Sequence, residues 1–328
     1  MSLSAFNLLQ TELDNKINFV PLPRTHKLDI KPVLELRKLI KTQQPAIIFC
    51  INFYSYFISR CAMFGLNTKA RRIISYHSTV HENSKEHLLH KLYTSLLTKK
   101  DAIITVSANQ AMYTAEKYKI SKDRFTTIHN GVNINYWHPS TDDRTREEIR
   151  NTYNLPLTSR VIVMTAGLRI EKNHIGAIKA LHLLHNVYHQ KAYLILVGDG
   201  IMNEAIKNLA IQLNIRDYVK FTGIQKDVRP FYWAGDLFTL CSSSVETFSI
   251  AALEAMACGL PCVLTNIGGA NEMIKDSLNG YVCEVDENDI AKTWSKALGR
   301  TFSKNEIHAF TRDNFSAEKM LTEYKKVL

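Results

Sequence analysis

Two glutamates, Glu246 and Glu254, stand eight residues apart in the run VETFSIAALEAMACGLP at 245–261, which follows a strand-like segment and opens a helix-like one. A helix starting near Thr247 leaves its first backbone N–H groups without intrahelical partners and turns its positive dipole end toward the end of the sheet. An anion suits that place, and a diphosphate there would take hydrogen bonds from the backbone around Phe248, Ser249 and Ile250. Glu254, two turns along, would accept hydrogen bonds from neutral hydroxyls beside it. A plainer reading stays open, with Glu246 as a helix cap and Glu254 as a solvated side chain. Lys172 follows another strand, between Glu171 and Asn173. It reads either as a cation for the same kind of ligand or as a solvated lysine at a helix end. Gly268 and Gly269 read as a loop that lets backbone approach a ligand or as an ordinary turn.

These residues need a scaffold, and the chain supplies strand-like runs alternating with helix-length segments. That pattern produces a parallel sheet covered by helices on both faces. In the first half, short runs rich in β-branched residues occur at 17–20, 46–51, 73–76, 102–106 and 126–129. In the second they recur at 161–166, 193–197, 219–222, 237–240, 262–265 and 281–283. Between the two sets lies a polar stretch with Pro139, Pro156 and a charge cluster, which reads as a linker. The segment from Ser316 onward has a capping serine and apolar residues at Met320, Leu321, Tyr324 and Val327, the pattern of an amphipathic final helix.

The totals agree with two α/β domains. A chain of 328 residues, 45% apolar and 22% charged, is long enough for two cores and has the composition of a globular protein. Its longest apolar-looking stretch, 46–59, falls short of the ~20 residues of a spanning helix, and the N-terminus lacks the pattern of a secretory leader. A cytoplasmic location is therefore expected. Cys258 and Cys262 are the only close cysteines, at a spacing that suits no common zinc site, so buried reduced thiols are expected. The net charge of +10 sits almost wholly in residues 1–150, where 22 Lys and Arg face 13 Asp and Glu. Such a half would attract anionic lipid headgroups or a phosphate-bearing acceptor, or be a merely solvated basic face. Nucleic acid is not expected, since no interleaved aromatics or known module accompany the charge. A dehydrogenase is disfavoured because no G-x-G-x-x-G run follows a strand.

The ordered motifs resemble the retaining family-4 glycosyltransferases of GT-B fold across nearly all of the chain. IHNGVNINYWHP (128–139) is similar to the family's interdomain segment and LRIEKNH (168–174) to its phosphate loop. LVGDG (196–200), FTG (221–223), ETFSIAALEAMACGLPCV, GGANEMI (268–274) and NGYV (279–282) complete the series. The resemblance implies two Rossmann-like doubly wound domains facing a cleft: an acceptor-side domain at 1–135, a linker at 136–158, a nucleotide-sugar domain at 159–310 and a final helix at 311–328. It implies that Lys172 touches the donor diphosphate, Glu254 holds the ribose and Glu246 faces the donor sugar. His77, in ISYHST after a strand, matches the family's N-domain histidine near the sugar and acceptor, although a strand-end histidine is commonly a satisfied core residue.

The catalytic residues expected are thus His77, Lys172 and Glu246. The donor is expected to contact Arg169, Lys172, Gly223, Thr247, Phe248, Ser249, Ile250 and Glu254. No cofactor or metal is expected beyond the nucleoside-diphosphate sugar itself, because lysine, arginine and a helix N-terminus can carry the leaving charge and no Asp-x-Asp signature occurs. The acceptor expected is a glycan or lipid-linked glycan of a surface polysaccharide or lipopolysaccharide, with peripheral contact to an anionic membrane. A sugar-nucleotide-binding protein without transfer activity is the alternative. Two departures stand out. The family's usual arginine five residues before the phosphate lysine is Gly167 here, with Arg169 two residues later, and the family's first strand and Gly-rich loop have no counterpart, so the N-terminal domain is expected to be incomplete.

Overall fold

In a computed structural model the chain is described at residues 20, 22, 29–77, 84–244 and 246–328, with only the backbone described at 84–86. The run at 17–20 lies outside the described residues save for Val20. Two compact units divide the chain, one of residues 1–105 and 113–126, the other of 106–112 and 127–328.

The first unit holds a sheet of β1 (Ile47–Ile51), β2 (Arg71–Tyr76), β3 (Asp101–Thr105) and β4 (Phe125–Thr127) in that spatial order. β1, β2 and β3 pair in parallel. Helix α1 (Lys31–Gln43) precedes β1, and α2 (Asn52–Met63), α3 (Ser84–Ser95) and α4 (Ala108–Tyr118) connect the strands, α4 beginning in the residues assigned to the second unit. The two central strands carry short apolar runs, and Ile73, Ile74, Ile103 and Ile104 are fully buried, as expected for parallel strands covered on both faces. One buried ion pair crosses this core. Arg72 Nε lies 2.6 Å from Asp101 Oδ1, and Asp101 Oδ2 also accepts from the Tyr56 hydroxyl at 2.9 Å.

The second unit is a six-stranded, all-parallel sheet in the order β10-β9-β8-β5-β6-β7. Its strands are β5 (Arg160–Thr165), β6 (Ala192–Val197), β7 (Val219–Gly223), β8 (Leu237–Leu240), β9 (Cys262–Thr265) and β10 (Gly280–Cys283). The chain winds outward from β5 through β6 to β7, then returns to the other side of β5 with β8. That reversal between β5 and β8 is the topological switch point of a doubly wound fold, where the connections leave toward opposite faces and a crevice opens beyond the strand ends.

The stretch at 136–158, read from the sequence as a linker, holds a helix of its own. This is α5 (Arg144–Thr152), whose Arg150 side chain is fully buried and donates to the carbonyls of Ala234, Pro156, Leu157 and Ser159 and to Asp236 Oδ2. Helices α6 (His174–Asn186), α7 (Asn203–Gln212), α8 (Arg229–Ala234), α9 (Ile250–Ala257), α10 (Ala270–Met273), α11 (Glu287–Leu298), α12 (Lys304–Phe315) and α13 (Ala317–Val327) complete the unit. Side-chain caps mark several of their starts. The Asn173 side chain accepts from Gly176 N, Asp286 from Asn288 N and Asp289 N, and Ser316 from Lys319 N. Ser316 is the capping serine expected of the last helix, but no residue of α13 is fully buried.

A guanidinium with five donors can satisfy as many acceptors as Arg150 does only where the chain folds around it, and here it fastens the entry to β5 onto the end of α8. Removing it empties a fully buried site, takes one of two guanidinium partners from Asp236, which keeps Arg146 and the Val161 N–H, and withdraws the donor from the carbonyls of Leu157 and Ser159. Arg150→Ala is expected to cost about 3–5 kcal/mol, lowering the midpoint of thermal unfolding by roughly 6–20 °C. Arg150→Lys should recover little of this, because a single ammonium does not reproduce the planar fork. Differential scanning calorimetry of both variants beside the parent chain checks this.

Candidate donor site at the switch point of the second sheet

The two loops that leave β5 and β8 at their carboxyl ends carry Arg169, Lys172, Glu246, Thr247, Phe248 and Ser249 of the residues singled out by the sequence. After β5 the chain runs through Gly167 and Arg169 into a 3-10 turn, Ile170–Lys172, and Asn173 then adopts the left-handed conformation at φ 53° to start α6. After β8 it runs through Ser242 and Glu246 to Ser249, the cap of α9. Ser243 N donates to Glu171 O at 2.9 Å, so the two loops are hydrogen-bonded across the switch point.

That tie brings Lys172 and Glu246 together. Lys172 Nζ donates to Glu246 Oε2 at 2.8 Å, and both side chains retain some solvent exposure, 16% and 18%. The Ser242 hydroxyl lies 3.4 Å from the same carboxylate oxygen. A lysine and a glutamate that meet at a water-accessible sheet end form a pair that a ligand can open: an anion can take the ammonium while hydroxyls take the carboxylate.

The helix start differs from the expectation by three residues. α9 begins at Ile250 and not near Thr247, because the Ser249 hydroxyl accepts from Ala252 N and stops the helix there. Thr247 and Phe248 are loop residues whose carbonyls are occupied, Thr247 O by Gly269 N at 2.8 Å and Phe248 O by Asn130 Nδ2 at 3.0 Å. The N–H groups that remain at the end of the dipole are those at the start of α9, Ile250 first.

Glu254 lies on α9 and is paired with Tyr232, whose hydroxyl donates to Glu254 Oε2 at 3.3 Å. Burial pushes its carboxyl up to about 7, with the Tyr232 hydrogen bond opposing, and burial likewise holds the Tyr232 phenol far above its ordinary range. A half-shielded carboxyl poised near neutrality is suited to accepting hydrogen bonds from neutral hydroxyls. Arg169 pairs with Glu171, Nε to Oε1 at 3.0 Å, and is well exposed. Gly223 closes β7 with φ 70°, its carbonyl accepting from Gly198 N. His77 belongs to the first unit, at the carboxyl end of β2, with Nε2 2.9 Å from Ser75 Oγ.

Gly268 and Gly269 back onto the protein itself. A Cβ on Gly268, whose φ is 60°, would lie 1.7 Å from Glu246 O, and one on Gly269 would lie 2.6 Å from the Phe248 ring. Their lack of side chains lets this strand-end turn support the Glu246 loop from behind. Sequence reasoning missed Tyr232 and Ser242, which carry no motif of their own. Asn130, which the sequence places only within the interdomain segment 128–139, holds the Phe248 carbonyl with its side chain.

A doubly wound unit with a lysine, a glutamate and a helix start at its switch point has the arrangement expected of a domain of GT-B fold. Comparison with known families makes the assignment definite: residues 145–308 match the model of the glycosyl transferases group 1, and residues 9–136 that of glycosyltransferase family 4. The chain belongs to this family. It is 28% identical over 239 residues to the N-acetyl-alpha-D-glucosaminyl L-malate synthase of Bacillus anthracis, covering 70% of this chain and 60% of that protein. It is 29% identical over 168 residues to the UDP-Gal:alpha-D-GlcNAc-diphosphoundecaprenol alpha-1,3-galactosyltransferase of Escherichia coli, covering 51% and 43%. The matches thus span about half of these relatives' lengths. A crystal structure of a glycosyltransferase from Rickettsia africae superimposes with a TM-score of 0.83 at 22% identity, covering 98% of this chain and 87% of that one. Among the described residues no helix is long and apolar enough to cross a membrane.

The raised carboxyl of Glu254 has a consequence for stability. Between about pH 4.5 and 7 the unfolded chain has lost this proton while the folded chain keeps it, so this group's contribution makes the fold less stable as pH rises through that window. Glu254→Gln, which keeps an acceptor for Tyr232, is expected to be more stable than the parent by roughly 2–3 kcal/mol at pH 8, with the difference shrinking toward pH 5. Paired thermal melts across that range test it, and a pH-independent difference would refute the assignment.

Proposed function

We propose that the chain transfers a sugar from a nucleoside-diphosphate sugar to a glycan or lipid-linked acceptor, with retention at the anomeric carbon and without a metal ion. The observation that carries this reading is the Lys172–Glu246 pair at the switch point, beside the start of α9. On donor binding the diphosphate takes Lys172 and the N–H groups at the α9 start, a hydroxyl of the donor sugar takes Glu246, and the ribose hydroxyls take Glu254. Arg169, exposed on the same loop, swings to the outer phosphate.

In the transfer the bond between the anomeric carbon and the phosphate oxygen breaks while a bond to an acceptor hydroxyl oxygen forms on the same face. Negative charge gathers on the departing diphosphate, where Lys172 and the helix start stabilise it, and the acceptor's proton passes to a phosphate oxygen. Positive groups already in place where charge develops contribute most of the acceleration in such chemistry. His77, of the first unit, is assigned to the sugar and acceptor side by its match to the family motif.

The acceptor is placed in the assembly of a surface polysaccharide or lipopolysaccharide, at the inner face of the cell membrane. The basic excess of residues 1–150 supports this, as does a relative whose name specifies a diphosphoundecaprenol acceptor.

The decisive experiment pairs thermal unfolding with turnover. A nucleoside diphosphate of the right base, at about a hundred times its dissociation constant, stabilises by about 2.7 kcal/mol, a midpoint rise of roughly 5–11 °C. The matching sugar conjugate should then be consumed in the presence of lipid-linked acceptors, and equally fast with EDTA. Binding without turnover would leave a nucleotide-sugar-binding protein, and no rise with any nucleotide would end the proposal. Lys172→Ala should lower turnover about ten- to a hundredfold. Glu246→Gln should separate binding from transfer: bare nucleoside diphosphate binds the released lysine more tightly, on the order of tenfold, while sugar transfer falls.

A further inference from the structure

Glu272 has no part in the chemistry above, yet three backbone or side-chain donors converge on it. Its Oε2 accepts from Ala108 N at 2.8 Å and lies 2.9 Å from His129 Nε2, and its Oε1 accepts from Asn109 N at 3.0 Å. Burial opposes ionisation of this carboxyl, but the hydrogen bonds from His129, Asn109 and Ala108 outweigh it and hold it below its ordinary range. An ionised carboxylate only accepts, so His129 carries its hydrogen on Nε2 and donates.

Each of two partners continues to the loop that bears Glu246. The His129 ring stacks on Phe248, with centroids 4.6 Å apart and planes at 11°, and Phe315 closes on the Phe248 ring edge-on at 5.5 Å. Phe248 is 2% exposed, so its ring anchors the loop in the interior, two residues after Glu246. On the other side, Asn109 Nδ2 donates to Gly268 O at 2.8 Å, and Gly268 is the residue packed against the Glu246 carbonyl. Every residue in this chain of contacts belongs to the second unit.

We propose that Glu272 is a positioning residue for Glu246, acting through His129 on the Phe248 ring and through Asn109 on the Gly268 backbone, so that the carboxylate of Glu246 is presented to the donor sugar. The proposal rests on the assignment of Glu246 to that sugar. A parallel-sheet loop without such a brace has several ways to settle, and a misplacement of about 1 Å costs on the order of a hundredfold in a positioned reaction. Simple capping of α4 by Glu272 is the competing role, and it predicts no effect on the loop of Glu246.

Two variants separate these roles. His129→Phe keeps the stack on Phe248 but cuts its link to Glu272, whereas Glu272→Gln keeps one acceptor for the α4 start and loses the second. Amide hydrogen exchange, read by mass spectrometry on the whole chain, should rise about tenfold over residues 246–250 in both variants while β5 and β6 stay protected. With whichever of UDP, GDP or ADP binds the parent chain, the affinity of its sugar conjugate relative to the bare nucleotide should fall roughly tenfold, the bare nucleotide itself changing less than twofold. Unchanged exchange over 246–250 in both variants would overturn the brace. Faster exchange with an unchanged sugar-to-nucleotide affinity ratio would overturn the positioning of Glu246. A parent chain that binds no nucleotide fails the functional reading and with it the sugar-presenting role, while the exchange result still decides the brace.

Discussion

The reversal of strand order between β5 and β8 is the constraint on which the candidate site depends. Connections that leave neighbouring parallel strands toward opposite faces cannot fill the space between them, so the sheet opens a crevice at that one place. Into it project the loop with Lys172 and the loop with Glu246, tied by a backbone hydrogen bond from Ser243 to Glu171. Without that topology the lysine and the glutamate, 74 residues apart in the chain, have no reason to meet.

Around this crevice close backbone contact holds the side chains of the candidate site in place. Gly268 and Gly269 support the Glu246 loop from behind, and Asn130 and His129 hold it at Phe248. The two candidate-site carboxylates are left with replaceable partners, a lysine for Glu246 and a phenol for Glu254. Rigid backbone and exchangeable side-chain partners are compatible demands, because main-chain hydrogen bonds and ring packing do not compete with a ligand for the same atoms.

Much of the scaffold was legible in the sequence because parallel strands buried on both faces must be short apolar runs, and those runs are unambiguous at 161–166, 193–197 and 262–265. Helix starts were legible where a cap stands alone, as at Ser316. They were less so at 247–250, where Thr247 and Ser249 both offer a capping hydroxyl and only the surrounding contacts decide between them. At 136–158 composition points to a solvated connection, since charged residues usually face water. Nothing local announces that Arg150 is enclosed by five oxygen acceptors.

Periodicity is a property of neighbouring residues and was enough for parallel sheets covered by helices, while the ordered motifs carried the family resemblance and the residues it implies for a diphosphate and hydroxyls. They could not show that Lys172 faces Glu246, that Tyr232 shields Glu254 or that Glu272 reaches the Phe248 loop through His129. Those contacts join segments far apart in the chain and exist only once the sheet has been assembled. Side-chain identity carries no record of which distant group the folded backbone will bring within hydrogen-bonding distance.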